Sequence, residues 1–115
     1  QNLLLKFMIV KNRIKKHSEF QKVIETGSLE RSNALYMYYN SNTLGYTRYG
    51  ISVPKKSGNA VVRNKIKRQI RAILAANNDY SKSLDVVFIV RKGYSIENFE
   101  KVKEELLGLI TKLGK

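Results

Sequence analysis

The hydrophobic period of the chain switches several times, and each switch marks an element. Phe20, Val23 and Ile24 stand at i, i+3 and i+4, which predicts a short helix over residues 18–27, with Ser18 and Gln21 spaced as a capping box and Gly27 in the left-handed position that closes a helix. Residues 34–40 are aromatic-rich and read as a strand, and residues 46–53 as a second that ends at Pro54. The turn-rich residues 41–45 between them predict an antiparallel hairpin. From Asn59, a good N-cap, the period becomes helical, with Val62, Ile66, Ile70, Ile73 and Leu74 on one side until Asn77-Asn78. Residues 84–91 are a nearly continuous β-branched and aromatic run, as in a strand buried on both faces. A last helix starts near Ser95, carries Glu97 in its first turn, and lines up Phe99, Val102, Leu106, Leu109, Ile110 and Leu113. The order α-β-β-α-β-α, with no repeat or linker, predicts a single-domain α+β sandwich on a small sheet.

Composition narrows the chemistry. The 115 residues are 43% hydrophobic, enough for one core, and no cysteine is present to make a disulfide or thiolate metal site. The cysteine-free composition suits a reducing cytosol. A single histidine, His17, excludes two-histidine acid–base ribonuclease chemistry and multi-histidine metal sites. Glu97, Glu100, Glu104 and Glu105 lie among lysines on one helix, as solvated helix charges do, so no catalytic residue is assigned to the protein. The apolar stretch over residues 3–10 is too short to span a bilayer and precedes Lys11, Arg13, Lys15 and Lys16. Residues 1–10 read as an N-terminal extension, Met8 as a natural start and residues 1–7 as an added or alternative lead; residues 11–115 form the domain.

Charge is distributed unevenly. Residues 1–78 hold 15 basic and 3 acidic side chains, a net of +12, whereas residues 79–115 hold 7 and 6, a net of +1. No acid occurs between Glu30 and Asp79, a span that contains nine lysines and arginines. A merely solvated face would intersperse both signs, while a one-sign field steers an anionic partner. On the helix from Asn59, the pairs Lys67/Arg71 and Asn64/Arg68 point away from the apolar side, with Arg63 and Lys65 at its margins. Lys55-Lys56-Ser57-Gly58 is expected as a flexible basic loop leading into a helix N-terminus that favours phosphate. A coiled coil would need flanking acids and longer heptads, and a membrane helix would need its apolar side free for lipid rather than for the core.

Aromatic residues complete the pattern. In an extended segment Tyr36 and Tyr38 face one way and Leu35, Met37 and Tyr39 the other. Phe20 and Ile24 are candidates to flank the open face, with Val87, Ile89 and Arg91 along the later strand. Each aromatic alone is more often core, but rings beside cations make a stacking platform for single-stranded nucleotides.

The run of residues 52–71, Ser-Val-Pro-Lys-Lys-Ser-Gly-Asn-Ala-Val-Val-Arg-Asn-Lys-Ile-Lys-Arg-Gln-Ile-Arg, closely resembles the signature of the bacterial ribonuclease P protein subunit. Residues 12–27, with Asn12-Arg13-Ile14-Lys15-Lys16, resemble the family's opening, and residues 85–92 its third strand. The resemblance implies a small mixed sheet with a left-handed crossover. It also implies a role in Mg²⁺-dependent endonucleolytic removal of the 5′ leader of precursor tRNA, with the catalytic centre and most of the Mg²⁺ held by the RNA subunit and no protein-held cofactor. The partners implied are the ribonuclease P catalytic RNA and precursor tRNA, in the cytoplasm, with no membrane and with the protein monomeric apart from RNA. Carried onto the matching positions, the resemblance implies that Arg63, Asn64, Lys67, Arg68 and Arg71 bind the RNA. Lys65, Lys55, Lys56, Arg13, Lys15 and Lys16 are added by charge and place. The resemblance likewise implies that Phe20, Ile24, Tyr38, Ile89 and Arg91 line the leader cleft, to which strand alternation adds Tyr36. Lys65 replaces the arginine usual there and lacks its planar fork; Ile24 stands where an aromatic is common, and Pro54 where a small polar residue is frequent. A ribosomal protein or general RNA chaperone would share the charge without necessarily sharing the cleft.

Overall fold

The computed structural model describes residues 12–77 and 82–114. Three helices, α1 (His17–Thr26), α2 (Ala60–Asn77) and α3 (Phe99–Thr111), pack on four strands, β1 (Ser28–Arg31), β2 (Leu35–Ser41), β3 (Arg48–Ser52) and β4 (Leu84–Val90). The residues read as an N-terminal extension lie outside the described residues. The sheet order is β1-β2-β4-β3. β4 pairs antiparallel with β2 from Leu35↔Val90 to Ser41↔Leu84, and parallel with β3 from Arg48↔Asp85 to Ser52↔Ile89. The sheet is therefore mixed, and α2 connects its parallel pair.

Two expectations are corrected here. β2 and β3 do not form a hairpin, because β4 lies between them. The β4 run is the most apolar in the chain, and the central place covers both its edges as well as both its faces. The β2–β3 connection has its own fold: the Asn42 side chain donates to the Tyr46 carbonyl (3.1 Å) and accepts from the Leu44 N–H (3.0 Å), while Gly45 takes φ +82°, where a side chain would be strained. The second correction is β1, which pairs antiparallel with β2 and follows Gly27 with only one of its four residues partly covered. Its sequence, Ser-Leu-Glu-Arg, lacks the alternation that marks a half-buried strand.

Helix ends also differ. α1 begins at His17 with Lys16 at the N-cap and no side-chain cap, so the Ser18 box does not form; Gly27 is extended at φ −83° rather than left-handed. A Cβ on Gly27 would lie 2.5 Å from the Val23 carbonyl oxygen and 2.6 Å from that of Tyr39, so it is close approach of backbone that requires glycine. Asn59 does cap α2, its Oδ1 accepting the Val62 N–H at 3.0 Å. Lys55–Ser57 form a single 3₁₀ turn rather than a flexible loop.

One sheet face carries Leu35, Met37, Val86, Phe88 and Val90 into a core closed by Ile66, Ile70, Ile73 and Leu74 of α2 and Val102, Leu106 and Leu109 of α3. Tyr49 and Phe88 stack there with centroids 6.0 Å apart. Glu105, expected as a solvated charge, accepts the Ala34 N–H at 2.9 Å and ties α3 to the start of β2. The other face holds a smaller cluster under α1, and this is where the candidate residues meet.

Candidate nucleic-acid interface

The strand alternation of β2 divides its aromatics as its sequence predicts. Leu35 and Met37 are buried with Tyr39 against the main core, whereas Tyr38 joins Ile14, Val23, Val87, Phe20, Ile24 and Ile89 beneath α1. Phe20 and Ile24 remain half-exposed, as do Tyr38 and Ile89, so this small core is open along one side. Tyr36 extends the surface beyond the cluster, its ring 6.4 Å from that of Tyr38. The Arg91 guanidinium lies 4.4 Å above the Tyr36 ring and donates from Nη1 to the Ser32 carbonyl at 2.6 Å. A cation held flat on an aromatic is both a stacking surface and a phosphate partner.

An ion-pair clamp sets the distance of α1 from this face. The register that puts Arg48 beside Asp85 lets the guanidinium donate from Nε to Asp85 Oδ1 (3.0 Å) and from Nη2 to Oδ2 (2.8 Å). Its Nη1 also reaches Glu19 Oε1 at 3.2 Å. The hydrogen bond to Asp85, opposed by burial and aided by Glu19, holds the Arg48 proton more firmly than in a free arginine. Glu19 immediately precedes Phe20, so the clamp fixes the wall of the cleft. Sequence reasoning missed it, although lone charges inside two apolar strands were a signal. It missed Gly50 as well: a Cβ there would lie 2.6 Å from Cε2 of Phe20.

The predicted cations gather in three places. Asn12, Arg13 and Ile14 run along the free edge of β3, with the Ile14 N–H bonded to the Tyr49 carbonyl (2.9 Å) and the Tyr49 N–H to that of Asn12 (2.6 Å). This brings Arg13 and Lys15 to a cavity of about 290 Å³ that Phe20, Gly50 and Arg71 also line. Burial, and then the charge of Arg13, lowers the pKa of the Arg71 guanidinium; Arg13 Nε is buried with no hydrogen-bond partner among the described residues. Two like charges held around one cavity favour an anion. A second groove of about 450 Å³ joins Lys15, Lys16 and Lys67 to Phe20 and Ile24, so basic and aromatic candidates share a wall. A third recess brings Lys56 together with Arg91, Tyr94 and Lys92. Lys92 was not among the predicted residues, though it directly follows Arg91.

The remaining candidates stand apart from these recesses. Asn64, Lys65 and Arg68 form the exposed outer face of α2, and none of them enters an ion pair among the described residues. Arg63 is half-committed, its Nε donating to the Gly58 carbonyl at 3.2 Å. Lys55 is exposed on the 3₁₀ turn and lines none of the three. Among the described residues no three His, Asp or Glu side chains come together as metal ligands, and no helix is long and apolar enough to cross a membrane.

Comparison with known proteins gives a consistent result. A family model described as Ribonuclease P matches residues 8–114. The ribonuclease P protein component of Mesoplasma florum is 44% identical over 110 residues, covering 91% of this chain and 97% of that protein. That of Clostridium kluyveri is 39% identical, covering 89% and 94%. Among solved structures, the ribonuclease P protein of Staphylococcus aureus superposes with a TM-score of 0.79 at 32% identity over 90% of this chain and 95% of that one. The Thermotoga maritima protein gives 0.78 at 31% identity, over 87% and 96%.

Proposed function

The chain belongs to the ribonuclease P protein family, and on that premise we propose that it binds a catalytic RNA through α2 and the 5′ leader of precursor tRNA through the cleft under α1. In this role it promotes Mg²⁺-dependent endonucleolytic removal of the leader, as a cytoplasmic protein monomeric apart from its RNA. The observation that carries the reading is the shared wall: Lys15, Lys16 and Lys67 line one groove with Phe20 and Ile24. Backbone phosphates and unstacked bases of one single strand could engage such a groove together, phosphates contributing salt-dependent affinity and ring stacking about 1–3 kcal/mol per base.

The protein's part is binding and orientation. Arg13 and Arg71, drawn together around their cavity, are suited to one phosphate, and Arg91 over Tyr36 to the next base and its phosphate. Catalysis is assigned to the RNA. Glu19 and Asp85 are engaged by Arg48, Glu30 by Lys112, and Glu105 by a backbone N–H, so these carboxylates do structural work. On this reading the Mg²⁺ belongs to the RNA and its substrate.

Affinity for precursor tRNA with and without a single-stranded 5′ leader, measured in the presence of the cognate RNA, tests the assignment. A leader-dependent gain supports it, and equal affinity supports a general RNA binder. Reconstitution at low Mg²⁺ should stimulate correctly placed 5′ cleavage, whereas cleavage by the protein alone would relocate catalysis. Arg68→Ala should weaken assembly with the RNA and reduce the slope of log affinity against log salt by about one.

A further inference from the structure

Val61 is 76% accessible, against 43% for Leu29 and 44% for Leu44, the other exposed large hydrophobic side chains among the described residues. It occupies the second position of α2, and three, four and seven residues further on Asn64, Lys65 and Arg68 share its face. All three are exposed, as is the adjacent Ala60.

A valine there serves neither core nor helix. The stripe that packs inward starts with its neighbour Val62, and a β-branched residue forms helix less readily than alanine or lysine. Single exposed apolar residues are ordinary on protein surfaces. This one, however, heads a face that carries cations and an amide, on a chain with no acid from Arg31 to Asn78. A purely electrostatic surface would gain from another cation in its place. A protein partner with an apolar patch would have to strip water from Lys65 and Arg68 to reach it. An RNA strand would meet those cations with its phosphates and offer ribose and base surfaces between them.

We infer that Val61 is an apolar contact of the α2 face with RNA, its two methyl groups packing on a ribose or base of the strand whose phosphates meet Lys65 and Arg68. This inference rests on the reading of α2 as an RNA-binding face. It gives that face a component of affinity that salt does not screen.

The test is equilibrium binding of the full chain to its cognate ribonuclease P RNA across a salt series, with Val61→Ala, Val61→Lys and Arg68→Ala compared. Val61→Ala should bind about fivefold to tenfold more weakly at every salt concentration, with the salt slope unchanged. Because alanine is the better helix former, its melting temperature should be equal or higher, which separates the loss from a folding defect. Val61→Lys should steepen the slope and remain weaker than the parent chain at high salt. Wild-type affinity in Val61→Ala, or a loss that tracks a lowered melting temperature, overturns the apolar contact. If Arg68→Ala is also without effect, the reading of the helix face fails with it; if Arg68→Ala alone is impaired, only the role of Val61 is lost.

Discussion

Phe20 can lie against β3 because residue 50 carries no side chain: a Cβ at Gly50 would stand 2.6 and 2.9 Å from two ring carbons. Gly50→Ala should displace the ring and cost about 1–3 kcal/mol through overpacking. The ratio of affinities for substrates with and without a leader should fall with it. An unchanged ratio would remove Phe20 from the leader contact. Tyr38→Ala should likewise weaken leader binding while leaving RNA assembly nearly intact. Tyr94 offers a pH test: its hydroxyl donates to Gln69 Oε1 at 2.8 Å, and burial pushes its pKa from 10.0 up to about 12. The folded state thus holds this proton more tightly than the unfolded one. Its contribution to stability is complete below about pH 10 and is lost as the pH rises through about 12. Tyr94→Phe should remove that alkaline decline in denaturation curves.

At the scale of elements, α2 was the most legible. Its apolar stripe, its Asn59 cap and its end near Asn77 all follow from local spacing; Ile66, Ile70, Ile73 and Leu74 of that stripe are buried and Val62 partly so. α3 was read as well, apart from the Ile96–Asn98 3₁₀ turn before it and the structural role of Glu105. α1 was placed but its ends were not, because caps depend on backbone geometry that neighbouring strands impose. Gly27 illustrates this: its requirement comes from the Val23 carbonyl of α1 itself and, equally, from the Tyr39 carbonyl of β2, a residue distant in sequence. Gly27→Ala should destabilise the domain by several times the loss of roughly 1 kcal/mol typical of a single mutation, because backbone must move to admit the methyl group. Thermal denaturation checks it, and a near-neutral result would show that the α1–β1 junction yields. β1 was invisible since it is an exposed edge strand recruited by β2, with no pattern of its own to mark it.

At the scale of the whole molecule, sheet order decides where the site is. With β4 between β2 and β3, the aromatics of β2 and the basic segments around β3 lie on either side of one central strand. The same order puts Arg48 in register with Asp85, and through Glu19 it holds α1 over the cleft. Arg48→Met should cost about 3 kcal/mol, since it leaves the largely buried Asp85 without its cation and with only the Asn42 amide still donating to it at 2.8 Å, and should lower leader discrimination beyond what the lost stability explains. Denaturant titration together with leader-dependent binding checks both parts.

Periodicity, charge and the Asn59–Arg71 segment determined by themselves the α+β class, the helix that carries the cations, the faces of the β2 aromatics and the family resemblance, because each depends on residues within a few positions of one another. Strand order, the Arg48 clamp, the Arg13–Arg71 cavity and the space that Gly50 leaves for Phe20 were decided only by the tertiary structure. Each joins segments distant along the chain, and local spacing carries no information about which of them will meet.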